Sequence, residues 1–152
     1  MRVGLGADHA GCGLKDALAA HLAARGHQPV DFGTGDPSVS VDYPRYAEAV
    51  ARAVAAGEVD LGILCCGTGI GMSIAANKVR GVRAALVHDV TTARLARQHN
   101  DANVVTMGAR LIAPALAAEL VDAFLDAAYE PRHQRRLDLI AGIESGGRDG
   151  PA

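Results

Sequence analysis

The chain has 152 residues, 49% hydrophobic and 21% charged, with a formal net charge of −2 and three cysteines. That length fills one well-buried domain and falls short of two. A slightly acidic balance excludes a sequence-independent nucleic-acid surface, which needs a basic excess, and leaves a small molecule as the expected partner. An odd cysteine count without C-x-x-C spacing supports neither a disulfide framework nor a structural zinc site, so a reducing cytoplasm is the expected setting.

Met1 to Gly6 enters a strand-like run at once, so no targeting segment is read, and no apolar stretch reaches the length of a membrane span. The first strand is predicted at Val3–Ala7 and runs into Asp8-His9-Ala10-Gly11. Two readings stand there: Asp8 as a helix N-cap with His9 a passenger, or two proton-handling groups at a strand end. Gly4 and Gly6 lack the third glycine of a dinucleotide fingerprint, and Asp8 would repel a pyrophosphate. A helix over Gly13–Arg25 and a strand over Gln28–Phe32 follow, then a loop in which Tyr43 and Tyr46 flank Pro44. Packing and a sugar-facing hydroxyl are both open to those tyrosines. The next helix is predicted over Tyr46–Ala56, with Gly57 at its stop.

The central strand, Leu61–Cys65, delivers a second thiol into Cys66-Gly67-Thr68-Gly69-Ile70-Gly71, which opens a helix over Met72–Val79. Closely spaced glycines let a turn expose successive N–H groups, and the helix N-terminus adds positive partial charge. Cys66 would sit in that field, which favours negative charge on its sulfur. The bland alternative is a helix entry beside a buried cysteine. Cys65 points to the opposite face and reads as core. The loop lacks the G-K-[ST] ending of an ATP-binding motif. An aromatic content of 3% leaves few rings to cover a flavin.

A strand at Ala84–Val87 ends in His88-Asp89, and a helix over Thr92–His99 ends in Arg97-Gln98-His99-Asn100-Asp101. There His99 reads either as a cation against the helix C-terminus, with Asn100 as left-handed cap, or as a functional group. No converging histidines at ligand spacing are found, so no metal is assigned. The strand Val104–Met107 leads to Arg110, and helices follow over Ala115–Ala128 and, after Pro131, over Arg132–Ile140. Arg132 and Arg136, four apart, share one face of that last helix and can grip one phosphate; a solvated basic surface is the alternative.

Short apolar strands alternating with helices define the α/β class, a three-layer α/β/α sandwich on a parallel Rossmann-like sheet of five strands, each expected to be buried on both faces. Residues 1–144 read as a single domain and 145–152 as a flexible Gly-rich tail. Ligands of such sheets bind outside the carboxyl ends of the strands. One cleft edge would then hold Asp8-His9, the Cys66 loop, His88-Asp89 and Arg110.

Taken in order, Asp8-His9-Ala10-Gly11, Asp42-Tyr43-Pro44, Cys66 to Gly71 with Ala75-Ala76-Asn77-Lys78, Arg97 to Asp101, and Arg132 to Arg136 resemble the type B ribose-5-phosphate isomerase family over nearly the whole chain. Galactose-6-phosphate and allose-6-phosphate isomerases share that superfamily. The resemblance implies a cofactor-free aldose–ketose isomerase, a homodimer or tetramer whose active site is completed by a second subunit. It implies Cys66 as the base, His99 in ring opening and Thr68 as a further catalytic group. Asp8, His9, Tyr43 and Asn100 would bind the sugar, and the amides of Gly67, Gly69, Ile70 and Gly71 would hold the enediolate. Arg110, Arg132 and Arg136 would hold the phosphate. One branch of the family replaces the cysteine by a glutamate just after the glycine loop; here that position is Met72, which puts the chain with the thiol branch. The same chemistry on a tetrose or hexose phosphate, or a non-catalytic sugar-phosphate-binding module, are the competing expectations.

Overall fold

The computed structural model describes residues 1–146. The elements run β1 (Arg2–Ala7), α1 (Cys12–Ala24), β2 (Gln28–Asp31), α2 (Tyr43–Ala55), β3 (Leu61–Cys66), α3 (Ile70–Ala76), β4 (Ala84–Leu86), α4 (Val90–Asn100), β5 (Val104–Gly108) and α5 (Pro114–Leu125). A 3₁₀ turn (Pro131–His133) then leads into α6 (Gln134–Glu144). The five strands form one parallel sheet in the order β2-β1-β3-β5-β4. Among the described residues no helix is long and apolar enough to cross a membrane. The expected tail lies, from residue 147 onward, outside the described residues.

Helices cover both faces of the sheet, and side-chain alternation along the strands feeds two cores. Val3, Leu5, Ile63, Cys65, Val105 and Met107 pack with α1 and α5 through Leu18, Leu22, Leu120 and Phe124. Leu64, Cys66 and Val104 face the other way, against Val50 and Val54 of α2 and Met72 of α3. The two adjacent thiols therefore belong to opposite faces, as period-2 alternation requires. Only the three central strands are buried along most of their length; β2 and β4 are edges with partly exposed residues, which corrects the expectation of burial for all five.

Three element boundaries differ from the pattern for local reasons. Helix α2 begins at Tyr43, so Tyr43 and Tyr46 stand on its first turn rather than in a loop. Pro44 belongs there because first-turn N–H groups have no helical acceptor to lose. Helix α3 begins at Ile70, directly after left-handed Gly69, and stops at Ala76. The left-handed residue after α4 is Asp101 (φ 43°), with Asn100 still helical. Arg83 and Arg97 both pair with the Asp101 carboxylate and hold that conformation in place.

Lys15 of α1 is only 2% exposed, its ammonium 2.5 Å from Asp31 and 2.9 Å from Asp16. Burial works to lower its pKa, but the two carboxylates outweigh that and hold the lysine charged. The pair pins the exit of β2 to the first helix.

Candidate active site

The strand order decides which loops meet. The chain leaves β1 for one edge and returns to β3 beside it, so a crevice opens between the carboxyl ends of β1 and β3. Because β5 lies next to β3, its exit joins the same crevice, whereas β4 is one strand further out. Asp8, His9, Tyr43, Cys66, Gly67, Thr68, Ile70, Gly71 and Arg110 accordingly line one cavity of about 460 Å³. His88 and Asp89 do not line it, contrary to the sequence expectation. Asp89 instead caps α4, accepting from Thr92 N–H at 2.8 Å in a reciprocal capping box.

Backbone geometry makes the floor of this cavity. The N–H groups of Ala109 and Arg110 donate to the carbonyls of Cys66 (2.8 Å) and Gly67 (3.1 Å), so the β5 exit lies along the glycine loop and the Arg110 guanidinium rests against Gly67. Gly69 adopts φ +79°, which any side chain would strain, and its N–H donates to Cys66 Sγ at 3.1 Å. That donor and the start of α3 both stabilise negative charge on the sulfur. A Cβ on Gly71 would fall 2.6 Å from the ring of Tyr43, so this glycine seats the tyrosine on the first turn of α3. Burial first, then the proximity of Cys66 and Asp8, pushes the Cys65 thiol well above its ordinary value, and it stays protonated.

Asp8 is not the N-cap of α1, and both Asp8 and His9 accept backbone N–H groups. Asp8 Oδ1 accepts from the N–H groups of Ala10 and Gly11, both at 3.0 Å, in a turn that precedes α1, whose own N-cap is Gly11. Val41 N–H donates to His9 Nδ1 at 3.2 Å, so the neutral ring carries its proton on Nε2.

Four of the expected site residues lie elsewhere. His99, Asn100, Arg132 and Arg136 do not line the Cys66 cavity. Asn100 borders a separate apolar groove with Leu95, Ile140 and Ile143. Arg132 lies in the 3₁₀ turn and Arg136 in α6, so the two do not share a helix face as expected, and each has its own partner. Arg132 donates to Glu130 Oε2 and approaches His99 Nε2 at 3.5 Å. Arg136 Nη1 donates to His133 Nδ1 at 2.8 Å. The rings of His99 and His133 lie 4.3 Å apart, and Glu130 N–H donates to the carbonyl of Gln98, fixing this cluster to the end of α4.

Glu130 and His133 carry this cluster, and no role was expected for either. The clue was a histidine three residues after a glutamate across Pro131, inside an arginine run. Because an arginine always donates, His133 Nδ1 must accept, so the neutral ring bears its proton on buried Nε2, which has no hydrogen-bond partner among the described residues. Burial first, then Arg132, His99 and Arg136, pulls the His133 pKa below its ordinary value. The Arg132 hydrogen bond pulls that of Glu130 down. His99, Glu130 and His133 do offer ligand atoms within 4.8 Å of one another, a spacing a metal ion can use. Arg132, 2.6 Å from the carboxylate, and Arg136 set positive charge against a cation there and favour an anion.

The family model for ribose/galactose isomerases matches residues 3–140. The chain belongs to the ribose/galactose isomerase family. This isomerase is 51% identical to ribose-5-phosphate isomerase B of Escherichia coli over 94% of its own length and 96% of that protein. It is 42% identical to the galactose-6-phosphate isomerase subunit LacB of Clostridium acetobutylicum, over 95% of its length and 82% of that one. Its fold superposes on the ribose-5-phosphate isomerase B of Clostridium thermocellum with a TM-score of 0.94 at 46% identity, covering 96% of this chain and 99% of the other. The parallel sheet and helical layers expected from the sequence are thus those of the family.

Proposed function

We propose that this isomerase interconverts ribose 5-phosphate and ribulose 5-phosphate through a cis-enediolate, with Cys66 as the base. The observation that carries the reading is the Gly69 N–H on Cys66 Sγ at 3.1 Å, in a cavity that also holds Asp8, His9 and Arg110. A proton beside a carbonyl is weakly acidic, so the site must both remove it and hold the oxyanion that develops. The Cys66 thiolate takes the C2 proton of the open-chain aldose, the C2–H bonding pair becomes the C1=C2 double bond, the C1=O1 π pair moves onto O1, and the loop amides from Gly67 to Gly71 hold that charge. Aimed backbone donors of this kind are worth about 3–4 kcal/mol each, and a positioned base about 100- to 10,000-fold. Return of the proton to C1, with the O2 proton passing to O1 as C2=O2 forms, gives the ketose.

His99 opens the furanose by giving a proton to the ring oxygen, and Thr68, Asp8, His9, Tyr43 and Asn100 orient the sugar hydroxyls. Arg110, Arg132 and Arg136 receive the phosphate. Such a site needs two copies of the chain. The Cys66 cavity has a base and an oxyanion cradle but no His99, and the His99 cluster has positive charge but no thiol or glycine loop. A homodimer in which each copy supplies one half brings them together. No cofactor is assigned a part.

The test is NMR with ribose 5-phosphate in heavy water containing a chelator. Ribulose 5-phosphate appears, and deuterium enters C1 of the ketose and C2 of the returning aldose. Silence with ribose 5-phosphate but turnover of galactose or allose 6-phosphate moves the same chemistry to a hexose, a second reading favoured by the LacB relative. Tight binding of every sugar phosphate without exchange refutes the enzyme mechanism.

A further inference from the structure

Thr106 is the one polar residue in the run Val104-Val105-Thr106-Met107 and is fully buried. It sits in β5 at the centre of the sheet, paired with Leu64 of β3 and Leu86 of β4, where an aliphatic side chain would be the ordinary choice. Its Oγ1 donates to the carbonyl of Gly69 at 3.0 Å. That carbonyl already accepts the Ser73 N–H at 3.0 Å in the first turn of α3, so the threonine is not needed to satisfy it. On the other side of the same Cα, the Gly69 N–H points at Cys66 Sγ. The residue is left-handed, and a Cβ there would meet Met107 backbone at 2.8 Å and Leu86 at 2.6 Å, so the loop lies directly on β5 beside Thr106.

We propose that Thr106 is a positioning residue: its hydroxyl ties the Gly69 carbonyl to the sheet and thereby holds the Gly69 N–H on the Cys66 sulfur. The inference rests on the reading of Cys66 as the base. A glycine can reach more of backbone space than any other residue, and the Ser73 N–H ties the Gly69 carbonyl only to α3 itself, so neither gives the loop a reason to hold one orientation relative to the sheet. A hydrogen bond from the rigid central strand supplies that reason. It acts on the sulfur across the Gly69 Cα, from the Gly69–Ile70 peptide to the Thr68–Gly69 peptide, without touching substrate.

The test compares Thr106→Val, Thr106→Ala and Thr106→Ser in the full chain. Two readouts are used: the rate of Cys66 alkylation by iodoacetamide at pH 7, followed by peptide mass spectrometry with Cys66→Ala as the blank, and kcat against KM for ribose 5-phosphate. When the Gly69 N–H is no longer held on the sulfur, the alkylation rate shifts by about threefold in Thr106→Val and Thr106→Ala. Their kcat falls by about tenfold with KM within about twofold, and Thr106→Ser, which loses the methyl but keeps the hydroxyl, restores both. A folded Thr106→Val that alkylates and turns over like the parent, or a Thr106→Ser as impaired as Thr106→Ala, overturns the proposal. If Thr106→Val does not fold, the Ser and Ala pair decides alone. If the parent turns over no sugar phosphate, the isomerase reading fails while the alkylation series still decides whether Thr106 governs the sulfur.

Discussion

The Cys66 cavity and the His99 cluster are built from opposite materials. In the cavity the donor on the Cys66 sulfur is backbone, the Gly69 N–H, in a glycine loop that follows β3 and is fixed by the register of three central strands. In the cluster the polar groups are long or titratable side chains, Glu130, Arg132, His133 and Arg136, gathered around one helix end. Backbone donors suit a charge that develops at one atom and then vanishes, since they need no rearrangement as it comes and goes. Guanidinium and imidazole groups suit a permanent dianion, which arrives already charged and needs grip. The proposed mechanism assigns chemistry to the first region and anchoring to the second, with His99 the member of the cluster that crosses over.

The largest effect that this division predicts is at the thiol. Cys66→Ala should lower kcat by about 100- to 10,000-fold while equilibrium binding of ribose 5-phosphate, read by calorimetry, stays measurable. Near-parental turnover would remove the thiol from the mechanism. The sharpest test of whether the two regions form one site comes next. Cys66→Ala and His99→Asn chains, each inactive as homodimers, are co-expressed with different tags and the mixed species isolated. In a two-fold dimer with shared sites, one site of the mixed pair holds both lesions and the other neither, so about half the parental activity returns. If each chain carried a whole site, mixing would restore nothing.

Arg136 probes anchoring alone. Arg136→Ala should raise KM by about 10- to 100-fold with kcat little changed, because a charge-assisted contact to an unreacting phosphate is lost equally from ground and transition states. An unchanged KM would release Arg136 from the phosphate. A kcat effect equal to that of His99→Asn would instead show that the cluster acts as one catalytic unit, and the contrast between the regions would collapse.

The cleft was legible in the sequence because its parts are tied to strand ends. Asp8, Cys66 and Arg110 each follow a short apolar run directly, and a parallel sheet brings such positions to one edge. What failed was the same rule applied without strand order: His88 and Asp89 also follow a strand, but β4 lies at the sheet edge. Tyr43 was placed in a loop because Pro44 reads as a breaker, although a proline in the first turn leaves no acceptor unsatisfied. The cluster was less legible still. Arg132 and Arg136 look like one helical face by spacing, but a 3₁₀ turn intervenes, and long-range contacts such as Glu130 N–H to Gln98 carry no periodic signal. Thr106 and Lys15 were hidden for a related reason, since a polar residue in a core position is explained only by the partner it finds, Gly69 in one case and Asp31 in the other.

The smallest effect is on stability, and it distinguishes the regions by pH. His133 has its pKa held below the ordinary 6.5, by burial first and then by the surrounding positive groups. The unfolded chain therefore takes up a proton at a pH where folded His133 still resists it. The contribution is fully present above about 6.5 and is lost as pH falls from there towards the depressed folded value. Glu130, with its pKa lowered by Arg132, loses its contribution only at more acid pH, below its ordinary 4.5. His133→Gln keeps an oxygen for the Arg136 donor but cannot titrate. Melting temperatures of the two proteins, compared at pH 7.5 and 5.5, should show the parent losing more on acidification than the variant. Inorganic phosphate should shrink that difference if the cluster takes an anion, because a bound dianion offsets the charge that protonated His133 brings among Arg132 and Arg136. Parallel losses, unaffected by phosphate, would mean that the cluster's charges are already screened by solvent, and the anchoring role would pass to Arg110 beside the glycine loop.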